Sequence, residues 1–297
     1  SGCCDGIKSN QAEYVWYMNN TISRTARHGI DNVGVHHLAV CGNTLFDMVG
    51  AGVGIEAKGG SYDVLIEGNT IRRARNRGIM LGGEGTNNIY MWPWDAPAEG
   101  WDQLARNNVI VNASEGGVGF FGCTNCVAVN NSLWLTSDLA TVEREFMRLY
   151  PSILEPGGGD YWGGSRRACE VMPTTGARVV NNIFGAAAAT VTCAMNAASA
   201  AVAGLVMNHN VWWNGGNALP ECGSGVTSIA SYPDSASSFG TRNPLVRDAG
   251  SLGAPPDLTP LAGSPLIDAG VADPLGPAAD AVGKPRGATP AIGALEP

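Results

Sequence analysis

The chain carries little charge and almost no lysine. Of its 297 residues 15% are charged, and lysine occurs only at Lys8, Lys58 and Lys284. The net charge of −8 argues against nucleic acid as the main partner, because nucleic-acid binders usually present a basic stripe. No apolar run is long enough to span a membrane. No Cys-x-x-Cys-His haem motif occurs, and no signal peptide is visible. The shortest internal units have no room for a helix between apolar stretches, which excludes a βαβ sheet. What the chain does have is 41 glycines and 44% hydrophobic residues, a composition suited to many tight turns and a long narrow core.

One pattern recurs throughout. Asn20-Thr21-Ile22, Asn43-Thr44-Leu45 and Asn69-Thr70-Ile71 are followed by Asn108-Val109-Ile110, Asn131-Ser132-Leu133, Asn182-Ile183-Phe184 and Asn210-Val211-Trp212. Three residues before each asparagine stand Tyr17, Val40, Ile66, Ala105, Ala128, Val179 and Met207, and two after it another apolar side chain. Five before it stand Val15, Leu38, Val64, Cys126, Ala177 and Leu205, with Gln103 breaking the column. Spacing by two places these side chains on one face of a strand. An earlier strand begins Gly6-Ile7, Gly29-Ile30, Gly54-Ile55, Gly78-Ile79 and Gly117-Val118. Three short strands per unit predict a right-handed parallel β-helix, an all-β fold in which each strand pairs one coil away, ~4.8 Å along the axis. The aligned asparagines predict a side-chain ladder.

The helix is expected over residues 1–215, with insertions at 83–105 and 137–176. An irregular Pro/Gly/Ser-rich segment at 216–297 closes it. Ser137 to Tyr150 carries Leu139, Val142, Phe146 and Leu149 at helical spacing, with Ser137 as N-cap. Eight cysteines favour an oxidising compartment and disulfides, and Cys123-Thr124-Asn125-Cys126 reads as a tight bridge more readily than as a zinc half-site. Residue 1 stands almost directly on the first coil, so a longer or processed natural chain is expected. The unpaired edge of that coil invites self-association.

The closing segment, with Asn243-Pro244-Leu245, Ser264-Pro265-Leu266-Ile267-Asp268-Ala269-Gly270, Gly283-Lys284-Pro285-Arg286 and Ile292-Gly293-Ala294-Leu295-Glu296, resembles that of many secreted bacterial β-helix proteins. The coil Gly59-Gly60-Ser61-Tyr62-Asp63-Val64-Leu65-Ile66-Glu67-Gly68-Asn69-Thr70-Ile71 is similar to those of the pectate-lyase-like superfamily. The resemblance covers nearly the whole chain. It implies a secreted, extracellular or periplasmic bacterial protein. It is specific for the fold and not for the reaction, since one scaffold hosts lyases, hydrolases, epimerases and adhesins.

Stacking the first coils gathers Asp5, Lys8, His28, Asp31, Glu56, Lys58 and Arg77 on or beside one sheet. The superfamily's lyases use such a patch to remove a proton beside a uronate carboxylate. The resemblance then implies Lys58 as base, Arg77 as charge neutraliser lowering the lysine pKa, and His28 beside them. Asp5, Asp31 and Glu56 become hard oxygen ligands for Ca²⁺. Two departures stand out. Val53 replaces the glutamate that alginate and chondroitin lyases carry five residues before the base, and Ile79-Met80-Leu81 replaces their Arg-His-Gly strand. Lys8, Arg75 and the loop aromatics Trp92, Trp94, Tyr161 and Trp162 are candidates to hold an acidic polysaccharide, sugar rings packing on aromatic planes. The patch also reads as a solvated face of paired charges, and the aromatics as anchors for their loops. Two functions follow: a polysaccharide lyase acting on an acidic glycan, or a non-catalytic surface or adhesive β-helix. An inverting hydrolase needs wider carboxyl spacing than one coil provides.

Overall fold

Strands with apolar residues on alternate positions and turns every few residues can bury one face only by winding around it. The chain does so in the computed structural model, a right-handed parallel β-helix. The structure describes residues 4–50, 52–86, 90–136, 144–154, 170–188, 191–223, 226–227, 238–239, 242–248 and 257–297. Each coil contributes to three sheets. Ile7–Met18 and Ile30–Cys41 run through both the first sheet and the second. Later coils divide them. Ile55–Lys58, Ile79–Gly82, Glu115–Phe121, Glu145–Tyr150 and Cys193–Ala198 lie in the first sheet. Ser61–Glu67, Gly100–Arg106, Val127–Val129, Arg178–Val180 and Val206–Asn208 lie in the second. The third holds Thr21–Ser23, Thr44–Met48, Thr70–Ala74, Val109–Val111, Ser132–Leu135, Ile183–Ala186 and Val211–Asn214, extended by Ser238–Phe239.

Two columns of left-handed residues make the corners. Tyr14, His37, Asp63, Asp102 and Asn125, with φ of 56, 53, 50, 50 and 55°, bend the chain from the first sheet to the second. Asn19, Gly42, Gly68, Asn107, Asn130, Asn181 and His209 bend it into the third, each just before a ladder asparagine. Apart from the glycines, most of these residues are of types that enter this region more readily than others do.

All seven asparagines form one ladder. The backbone N and Nδ2 of each of the first six donate to Oδ1 of the next at 2.9–3.0 Å. From Asn43 onward, each Nδ2 also donates to a carbonyl of the coil before, Tyr17 through Val179, at 2.8–2.9 Å. Buried amides need such partners. Inside, like stacks on like: Ile30, Ile55 and Ile79 are fully buried, and Phe184 stacks on Trp212 at 4.1 Å. Gln103, the break in the column, is also buried. Its Oε1 accepts from Gly82 N at 3.0 Å, and its Nε2 donates to the carbonyls of Ala57 (3.0 Å) and Ser61 (2.9 Å). It satisfies backbone groups that the corner leaves unpaired.

Several expectations need correction. Residues 145–150 form a first-sheet strand, with Met147 paired to Val118 and Met195, and not the end of a helix. The remainder of that expected helix, 137–143, lies outside the described residues. A coil strand therefore sits within 137–176, followed by an antiparallel pair, Ser152–Leu154 with Glu170–Met172. The first insertion ends before Gly100, where a second-sheet strand begins. Disulfides join Cys123 to Cys126 and Cys193 to Cys222. Among the described residues no helix is long and apolar enough to cross a membrane.

The closing segment packs on the outer face of the third sheet. Leu258, Leu266, Ile292, Ala294 and Leu295 form one buried cluster with Val109, Val111, Trp134, Ile183 and Val211. The corner asparagines clasp it: Asn107 donates to Ala279 O, Asn130 to Ala291 O, and Asn181 to Val271 O. Arg286 reaches Asn107 Oδ1 (2.9 Å), Gly293 O (2.8 Å) and Glu296 Oε1 (2.5 Å).

Candidate functional site

Parallel register builds the site directly from the sequence. Lys8, Asp31, Glu56 and Met80 occupy one row across four coils of the first sheet, on its outer face. Asp31 and Glu56 are fully buried, under Lys58 and the more exposed Lys8. Lys8 Nζ bonds Asp31 Oδ2. Lys58 Nζ lies 2.5 Å from Glu56 Oε1 and 3.5 Å from Asp31 Oδ1. Asp31 Oδ1 and Glu56 Oε2 are buried without a hydrogen-bond partner. Asp5 Oδ1 accepts from His28 N at 3.1 Å.

Two adjacent carboxyls in such a place cannot both ionise easily. Burial, reinforced by the Asp31 charge, pushes Glu56 up to about 8 despite Lys58. Asp31 moves the other way. Burial would raise it, but Lys58, the hydrogen bond with Glu56 and Lys8 together bring it down to about 2. The pair thus shares its protons unequally, Glu56 holding its proton to higher pH than Asp31.

His28 is buried, and burial lowers its pKa to about 4 against the pull of Asp31. Val53 N donates to its Nδ1 at 3.1 Å, and Nε2 lies between the Arg27 guanidinium at 3.2 Å and Glu56 Oε1 at 3.4 Å. Both ring nitrogens are thus engaged, and His28 is not a free base.

Three of the roles assigned from the resemblance do not suit this geometry. Burial would lower the Lys58 pKa, but Glu56 and Asp31 outweigh it and hold the amine above its ordinary value, as a cation. Arg77 is fully buried and already engaged. It makes a two-pronged pair with Glu84 at 2.9 and 3.0 Å, lies 3.8 Å from Glu115, and stacks 4.3 Å above the Phe121 ring. It holds the corner together instead of facing a ligand. The Ca²⁺ set also fits poorly. Asp5, His28 and Asp31 bring ligand atoms within 4.8 Å of one another. Yet Asp31 already carries two ammonium groups, Glu56 is outside that set, and His28 supplies nitrogen where calcium prefers oxygen.

The aromatic candidates divide. Trp92 stacks on His36 at 4.3 Å, and its carbonyl lies 2.9 Å from His36 Nε2, so it pins the 83–99 loop over the first corner. Gly60 (φ 88°) makes that approach possible, since a Cβ there would stand 2.5 Å from Trp92 O. Trp94 is exposed, and so is Arg75. Tyr161 and Trp162 lie outside the described residues. Tyr14, His37, Tyr62 and Trp101 form a further ring column, with Tyr14–His37 and Tyr62–Trp101 both 4.7 Å apart. The column follows the corner, edge-on between His37 and Tyr62 and with Tyr14 60% exposed at its end.

Sequence reasoning missed Glu99. It is buried, with Oε2 accepting from Gly59 N (2.9 Å) and Oε1 from Thr86 N (2.9 Å) and Ser152 Oγ (3.1 Å). It ties the corner after Lys58 to the loop and to a later coil. Its place at the end of an insertion puts it outside the repeat, so no column signalled it.

A family model described as disaggregatase related matches residues 6–140. The matched stretch contains the whole acid–lysine row and the ladder from Asn20 to Asn131. No curated protein matches the chain.

Proposed function

We propose that this chain is an extracellular carbohydrate-active β-helix that cleaves an acidic, uronate-containing glycan on the outer face of its first sheet. The observation that carries the reading is the Asp31–Glu56 pair, two neighbouring buried carboxyls that lie under two lysines and whose pKa values are pushed in opposite directions. Pairs pushed apart in this way assign an acid and its partner. An incoming uronate carboxylate takes Lys8 as counter-ion and uncovers Asp31, whose basicity then rises. Glu56 protonates the glycosidic oxygen, Asp31 parts from Glu56 to attack the anomeric carbon, and a water that Glu56 then deprotonates displaces the sugar from Asp31. Retaining glycosidases hold their two carboxyls ~5–5.5 Å apart, so this route requires Asp31 and Glu56 to separate when the glycan binds. Elimination with Lys58 as base is less well supported, because its neighbours keep the amine charged.

The test is incubation with alginate, pectate and glycosaminoglycans, following both new reducing ends and ultraviolet absorbance of unsaturated uronate. Hydrolysis gives reducing ends with no absorbance, and Glu56→Gln lowers the rate on the order of 10²–10⁴-fold. Rising absorbance replaces this mechanism with elimination. A second reading, a glycan-binding module without catalysis, is favoured by the complete burial of both carboxyls. Retention of the protein on a glycan gel with no products would establish it.

A further inference from the structure

An arginine-rich surface lies on the return corners that lead from the third sheet back to the first. The corner after Thr21–Ser23 carries Arg24 and Arg27, both exposed. Two coils on, Arg72, Arg73 and Arg75 occupy the end of Thr70–Ala74 and the start of its corner. Among the described residues of these three corners and the third-sheet strands before them, Asp47 is the one acid, and Arg73 Nε bonds its Oδ1. Five arginines against one carboxylate make a strongly positive patch on a chain whose net charge is −8.

Between the two arginine groups the described corner residues are Val49, which is exposed, and Gly50 and Gly52, where a Cβ would collide with the carbonyls of Ala26 or Arg27 in the corner beneath. The two arginine groups and the corner they flank are together termed the saddle. That corner leads into the strand Ile55–Lys58, which carries Glu56 and Lys58. Arg27 continues the connection, its guanidinium 3.2 Å from His28 Nε2.

We infer that this saddle is the binding site for the approaching arm of an acidic polysaccharide, whose carboxylates or sulfates pair with the flanking arginines before the chain crosses the acid–lysine row. The direction of the chain rests on the function proposed above; the binding does not. A neutral glycan has no charge to pair with Arg24, Arg27 and Arg75, the arginines that these corners expose. A nucleic acid fits less well, since its binders usually carry a basic surface overall and this chain has a net charge of −8. Arginine pairs with both carboxylates and sulfates, so the two classes of acidic glycan are separate arms of the test.

The experiment titrates the intact protein with alginate oligosaccharides, a sulfated glycosaminoglycan, dextran and duplex DNA, at low and at raised salt. The expected result is binding to one or both acidic glycans, weakened by salt, with dextran silent. Arg24→Ala combined with Arg75→Ala lowers that affinity at least ~tenfold, about 1.4 kcal/mol, with an unchanged melting curve. Glu56→Gln binds as the native protein does while losing cleavage. Unchanged affinity in the double variant, equal binding of dextran, or tighter arginine-dependent binding of DNA overturns the inference. Should the double variant misfold, salt-independent binding by the native chain overturns it equally. Binding with no cleavage of any glycan defeats the proposed reaction and leaves the saddle standing.

Discussion

The first three coils and the later four share one backbone plan but differ on the outer face of the third sheet. In the early coils that face reads Thr21, Ser23, Thr44, Phe46, Thr70 and Arg72. At the same register positions the later coils read Val109, Val111, Ser132, Trp134, Ile183, Gly185, Val211 and Trp213. The closing segment covers the second set and not the first. The corner column follows suit. Asn107, Asn130 and Asn181 bond the segment, whereas the equivalent early positions are Asn19, Gly42 and Gly68. Side chains turned away from the core thus decide where a covering layer lies. The coils that the described part of the closing segment leaves uncovered are also those that carry the acid–lysine row and the arginine saddle.

Arg286 is the strongest single tie of the cover. Arg286→Ala strands Glu296 and leaves Asn107 Oδ1 without its guanidinium partner, and about 4 kcal/mol should be lost. Limited proteolysis should then cut the closing segment first, with the early coils intact; cleavage beginning in the early coils would break the division. Trp134→Ala, on the covered face and 5% exposed, should cost about 3 kcal/mol in denaturant unfolding. Phe46→Ala, at the same register on the uncovered face, should cost under about 1 kcal/mol. Equal losses would mean that the two faces are not distinguished by the cover.

A further effect is one of pH, and it belongs to the early coils. Glu56 binds its proton more tightly folded than unfolded, so stability falls as pH rises from its ordinary carboxyl range toward about 8. His28 acts oppositely, adding stability as pH rises from about 4 to its ordinary value of 6.5. Below 6.5 the two offset each other. Between 6.5 and 8 Glu56 acts alone of the two, and the melting temperature should drop by a few degrees. Glu56→Gln should flatten that interval; an unchanged slope would place the titrating group elsewhere.

Much of this was legible in the sequence because a solenoid turns spacing into neighbourhood. The seven asparagines, the Lys8–Asp31–Glu56 row and the Cys123–Cys126 bridge all follow from counting residues between equivalent positions. What counting missed has physical causes. Phe146 and Leu149 sit at a helical interval, but pairing of Met147 with Val118 on the coil beneath outweighs local spacing. Arg77 looked available because its partner Glu84 lies in an insertion that no repeat predicts. The charge state of Lys58 depends on two carboxyls lying beneath it, and a list of outward residues does not reveal burial. That the 216–297 segment closes the helix was read from the sequence, but its landing place was not: Val109, Val111, Trp134 and Val211 sit on an outer face that only the three-dimensional register picks out.

The asparagine ladder has a mechanical consequence. Each amide from Asn43 to Asn182 grips the coil below through a carbonyl and the coil above through an oxygen, so removing any inner rung loosens two joints at once. A terminal coil has only one such joint to lose. Under tension or slow digestion a stack wired in this way should unspool from its extremities, one turn at a time, before it ever snaps across its waist.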